Sequence, residues 1–265
     1  MVQPLFLVAM PEHQAEVESI SRDDTLQKVI QELRLPQLAY ASPYQFGAYV
    51  VERCMGSNKF DSIASFAGPQ VPMVVLAKGF FSLPRDTQRF ILTHELRHAF
   101  QRLIDHGWLQ HNQYRLLIVR RFAPITKLTC RFFSAPEELD AQEYAWRFSS
   151  PVVASSIVRR TAEEVQETML VHRNTPAPRE AVLLALLPQL YELSHLARAK
   201  KFTTADDKKV EDARMEMIQF MFSRIPPGVH TEFRQLFEKY LAAGASTFLT
   251  EAATLLQKLR LLPAH

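Results

Sequence analysis

The first half of the chain alternates short β-rich runs with amphipathic ones. Residues 1–10 form an apolar run that reads as a first strand. Ser21 then caps a helix with Leu26, Val29, Ile30 and Leu33 on one face, acids in its first turn, and Pro36 as its stop. Residues 46–52 are β-branched and aromatic enough for a strand, residues 58–69 read as strand and loop, and residues 72–81 as a short apolar strand. Ser82 and Pro84 open a long helix that buries Phe90, Ile91, Leu96, Ala99, Phe100, Leu103 and Ile104. It runs to about Asp105, with Gly107 in the left-handed position that ends it. A short helix at 114–122 and another at 136–148, opening on Pro136, Glu137 and Glu138, complete this half.

Beyond Pro151 the pattern is helical throughout. Amphipathic segments cover 161–172, where Thr161 begins a capping box, then 179–200, 205–224, 231–243 and 247–261. Met215, Met217, Phe220, Met221 and Phe222 read as bundle core. No fixed repeat period is present, so an array fold is not expected. The expected fold class is α+β: a part at 1–150 with a small mixed sheet and a long helix, followed by an all-α part at 151–265.

Composition narrows the function classes. The chain has 265 residues, enough for a sizeable core, and only 7 glycines, none arranged as a phosphate-binding loop. The net charge of +3 is divided evenly, +1 in residues 1–150 and +2 in 151–265, so no basic stripe points to nucleic acid. Cys54 and Cys130 are too few for a disulfide framework and read as separate buried thiols, with a single bridge as the alternative. The apolar opening lacks a basic region and a small-residue cleavage site, and no run has the length of a membrane span. The expected location is cytoplasmic, or exported by a route independent of a signal peptide.

Candidate chemistry lies in the long helix. His94-Glu95-Leu96-Arg97-His98 has the pattern H-E-x-x-H, of which random placement of this composition gives about 0.02 copies. On a helix, His94 and His98 stand one turn apart on one face, within reach of a single metal ion. Glu95 lies about 100° further round, where its carboxylate can face a metal-held water. Metal-assisted hydrolysis needs these parts: two imidazole ligands, an open position and a general base.

A catalytic zinc has a third protein ligand as well. His94 to His98, with Glu138-Leu139-Asp140-Ala141-Gln142-Glu143-Tyr144-Ala145 downstream, resembles the gluzincin-type zinc metallopeptidases over about residues 70–148. The resemblance implies zinc held by His94, His98 and Glu138, with Glu95 as general base. It also implies that residues 72–81 form an edge strand, with Val74, Val75, Leu76 and Ala77 pairing with an extended peptide or protein substrate. Gln142 stands where that family often has Asp, as the hydrogen-bond partner of a ligand histidine, and a Gln there lacks the charge that raises ligand basicity. Asp105, His106, His111 and Asp140 remain alternative third ligands, whereas Gln101 and Ile104 stand where a metzincin would have Gly and His. Tyr144 is either a hydrogen-bond donor to the reacting carbonyl or a core aromatic. Arg97 and Gln101 are expected to tie the helix to its neighbours. The function so implied is zinc-dependent peptide hydrolysis. The alternative is a degenerate scaffold whose helical half, 151–265, docks a protein partner.

Overall fold

The computed structural model describes residues 3–56, 64–67, 71–108, 110, 113, 115–117, 127–174, 177–199, 203–244 and 247–261. The chain divides into two compact units, one formed by Met1–Gln110 with Asp140–Val153 and the other by His111–Leu139 with Ala154–His265. The outer boundary lies three residues from the expected one. Residues 111–139, expected in the first part, sort instead with the helical unit.

The first unit is built on a four-stranded sheet: β1 (Leu5–Val8), β2 (Leu38–Ala41), β3 (Ala64–Ala67) and β4 (Met73–Leu76). The order is β2-β1-β4-β3, with β2, β1 and β4 parallel and β3 antiparallel to β4. Strand alternation divides the apolar side chains between two faces. Leu5, Leu7, Val74 and Leu76 pack with apolar residues of α1 (Gln14–Ser21), α2 (Asp24–Leu33) and α4 (Arg85–Leu103). Val8, Ala41, Met73 and Val75 meet Val50 and Cys54 of α3 (Ala48–Met55) on the other face. All four residues of β4 are therefore buried, as expected of a strand covered on both faces.

Two expectations are corrected here. β4 has β1 on one side and β3 on the other, so Val74, Val75 and Leu76 cannot accept an added peptide strand; Ala77, just past the strand, is buried too. Among the described residues the sheet ends in β2 on one side and β3 on the other. Residues 46–52 are helical over most of their length because Val50 and Cys54, four apart, both face the sheet, and that packing overrides local β propensity. Burial pushes the Cys54 thiol up to about 11, while Cys130 is exposed, and both are free.

Helix starts shift as well. Asp23, not Ser21, caps α2, accepting from the N–H groups of Thr25 and Leu26. Arg34 ends α2 in the left-handed region at φ 53°, two residues before Pro36. Ser82 spends its hydroxyl on the Gly79 carbonyl, and α4 begins behind Pro84 with no side-chain cap. α4 ends at Leu103, and the Gly107 N–H is taken by Asp105. Within α4, Leu92, Leu96 and Ala99 are completely buried, worth about 1.5–3 kcal/mol for each leucine.

Helix α5 (Lys127–Trp146) runs continuously from the residues of the second unit into those of the first, with Pro136 in its interior rather than at its start. The rest of the second unit is α6 (Pro151–Asn174), α7 (Arg179–Ala199), α8 (Thr204–Ser223), α9 (His230–Ala242) and α10 (Phe248–Arg260). α6 starts ten residues before the expected Thr161, which is mid-helix, and Thr203 caps α8. Phe132, Tyr191, Tyr240 and Phe248 form an aromatic core, with the Phe132 and Tyr240 rings stacked at 5.2 Å. Met217, Phe220 and Met221 are buried, whereas Met215 is exposed. The expected helix at 114–122 falls largely outside the described residues. Among the described residues no helix is long and apolar enough to cross a membrane.

Candidate metal centre

The histidines owe their placement to the buried stripe of α4. With Leu92, Leu96 and Ala99 turned into the core, His94 and His98 share another face, one turn apart. Their rings meet edge to face at 4.6 Å, and their Nε2 atoms point at each other across 3.0 Å. Two nitrogens on a tetrahedral zinc stand about 3.3 Å apart, given Zn–N bonds near 2.0–2.1 Å. The pair is thus close to metal-binding geometry. His98 is buried and His94 is half-buried.

Glu138 brings the third donor. Its carboxylate and the two imidazoles place ligand atoms within 4.8 Å of one another, and this is the His/Cys/Asp/Glu grouping of that kind among the described residues. Neighbouring acids go elsewhere: Glu137 is buried against Arg115 at 3.1 Å, and Asp140 pairs with Arg97. Two neutral nitrogens and one carboxylate suit a divalent metal of zinc's type. A His/His/Glu group that could hold a metal ion is therefore present. On α7, burial and then the charges of Glu138 and Glu164 push the Glu192 carboxyl up to about 7.

Glu95 faces the sheet. Its Oε2 accepts the backbone N–H of Phe66, a residue of the outer strand β3, at 2.7 Å. One turn pair further along α4, Arg102 lies over the Phe66 ring at 5.9 Å.

Behind the histidines lies a polar chain that only partly matches expectation. His98 Nδ1 meets Gln101 Oε1 at 2.9 Å, and Gln101 Nε2 donates to Asp140 Oδ2 at 2.6 Å. Arg97 holds both Asp140 oxygens, at 2.7 and 3.2 Å. The expectation that Arg97 and Gln101 tie the helix to its neighbours holds. The role expected of Gln142 is filled at His98 by Gln101, whose signal in the sequence was its position three residues after His98 on the same helix face.

Of the two places open to Tyr144, catalytic donor or core aromatic, it takes the core. It is buried in the sheet core between the guanidiniums of Arg97 and Arg147, at 5.0 and 5.1 Å. Burial and the adjacent Glu32 raise its hydroxyl to about 12. A carbonyl-polarising donor needs to reach the reacting atoms, and this side chain is committed to packing.

Comparisons of the chain with protein-family models, with curated proteins and with solved structures find no match. The site must be read from its own chemistry.

Proposed function

We propose that the chain is a zinc-dependent metallopeptidase of gluzincin type. The observation that carries this is the convergence of ligand atoms from His94, His98 and Glu138, with Glu95 next to His94 in the sequence of α4. His94 Nε2, His98 Nε2 and a Glu138 oxygen would hold the ion. Bound there, zinc supplies Lewis acidity, polarising a carbonyl and lowering the pKa of a water.

The side chains do the rest. Glu95 takes the proton of the attacking water and returns it to the leaving amine. Its present partner, the Phe66 N–H, belongs to β3, one of the two outer strands among the described residues, so an extended peptide exchanging into that hydrogen bond along β3 would lie before the base. β3 thereby takes the substrate-pairing role expected of residues 72–81.

The test is elemental analysis with a peptide-cleavage assay. One zinc per chain is expected in the wild type and none in His94→Ala. Glu95→Gln should keep the zinc and lose cleavage by 10²-fold or more. Retained cleavage removes Glu95 from its role, and a wild type as zinc-free as His94→Ala removes the enzyme reading.

A further inference from the structure

We infer that Gln101, oriented by Asp140 and Arg97, is the positioning residue that fixes the proton of His98 on Nδ1 and presents Nε2 as a lone pair. The inference rests on the metal-centre reading for its purpose, and on hydrogen-bond chemistry for its content.

Asp140, gripped by the Arg97 guanidinium at 2.7 and 3.2 Å, is a carboxylate and can only accept hydrogen bonds. Gln101 approaches Asp140 Oδ2 to 2.6 Å, so the group facing it must be the amide nitrogen. Turning that amide over would set two acceptor oxygens against each other at the same distance. With the nitrogen committed, the amide oxygen faces His98 Nδ1 at 2.9 Å. An amide oxygen cannot donate, so Nδ1 must carry the hydrogen. Nε2 of the neutral ring is then unprotonated, and it is the atom that faces His94 Nε2.

Burial makes the assignment firm. Gln101 is 0% exposed and His98 6%, so water does not compete for either link. An unmet amide group at this depth would cost about 1–3 kcal/mol, which penalises every other orientation of the chain. The arrangement also spends no charge beside the imidazole. The negative charge stands one residue further out, neutralised by Arg97. The amide acts as an adaptor that converts a fixed carboxylate into a fixed imidazole tautomer.

The test uses the full chain with ¹⁵N-labelled histidine at pH 8, where imidazole is neutral. Long-range ¹H–¹⁵N correlations of His98, assigned by their loss in His98→Gln, are read before and after zinc is added. The wild type should show a single Nδ1–H tautomer in the metal-free protein. Gln101→Leu and Asp140→Asn should each give a tautomer mixture and weaken zinc binding by about 10–100-fold. If Gln101→Leu does not fold, Asp140→Asn decides, since it keeps the shape of the site but no longer dictates the amide orientation. A wild-type His98 protonated on Nε2, or variants with unchanged tautomer and unchanged zinc affinity, would overturn the inference. A wild type that shows the Nδ1–H tautomer and takes up no zinc upholds the positioning role and overturns the metal-centre reading.

Discussion

Glu95 on α4 is joined to Phe66 on β3, carboxylate to backbone N–H, at 2.7 Å. Phe66 pairs with Val74 in the β3–β4 ladder, yet its N–H is spent on Glu95, which marks it as a group of the outer edge. Proline at such a position removes an outward donor, whereas proline in an interior strand removes a ladder bond. Phe66→Pro should therefore melt within a few degrees of Phe66→Ala and cleave peptide about tenfold less efficiently, the worth of one hydrogen bond. Val74→Pro should lose about 3 kcal/mol or more. Equal melting temperatures for the two proline variants would contradict the strand order on which the proposed substrate path depends.

Metal removal should register as stability. A ligand bound only by the folded chain at 100 times its Kd adds about 2.7 kcal/mol. Thermal melts with and without a chelator should differ for the wild type and coincide for His98→Ala. A chelator effect of the same size in both proteins would place the metal elsewhere.

Glu192 sets a pH dependence within the helical unit. Its carboxyl titrates near 7, against 4.5 for the ordinary group. A raised acid pKa means that the folded chain holds this proton more tightly than the unfolded chain. The associated stability is present below 4.5 and lost as pH rises through about 7. Glu192→Gln, neutral throughout, should match the wild type at pH 4 and exceed it at pH 8 by on the order of 1–3 kcal/mol in urea unfolding. A difference independent of pH would refute this account of Glu192.

Thiol chemistry should separate the two cysteines. With a pKa of about 11, Cys54 is roughly one part in a thousand thiolate at pH 8 and is also shielded by the sheet. A disulfide reagent should modify the exposed Cys130 rapidly and Cys54 only on unfolding. Two fast thiols in the native protein would show that the α3 face opens readily.

What the sequence disclosed follows the range of the forces involved. His94 and His98 were legible because helical spacing alone sets their relation, whereas the Glu95 contact with the Phe66 N–H depends on strand placement that helical spacing does not encode. Glu138 was legible because first-turn acids after a proline announce a helix, although Pro136 proved to be internal. The C-terminal helices were legible from periodicity, four of them nearly to their ends. The sheet order was not, because pairing of β1 with β4 across some seventy residues leaves no local trace. α3 was misread because Tyr49, Val50 and Val51 favour a strand until the second sheet face rewards their helical spacing. Gln142 owes its expected role to its distance along the helix after Glu138, whereas the observed partner of His98 comes from its own helix.

The Arg97–Asp140–Gln101 linkage has a consequence for heredity. Asp140 serves two residues of α4 at once, so a change at any of the three positions alters the requirement at the other two. In divergent copies of this chain, positions 97, 101 and 140 should change as a set or stay as a set, even where the surrounding surface drifts. H-E-x-R-H-x-x-Q followed by E-x-D is therefore a more discriminating signature of this centre than the two histidines alone.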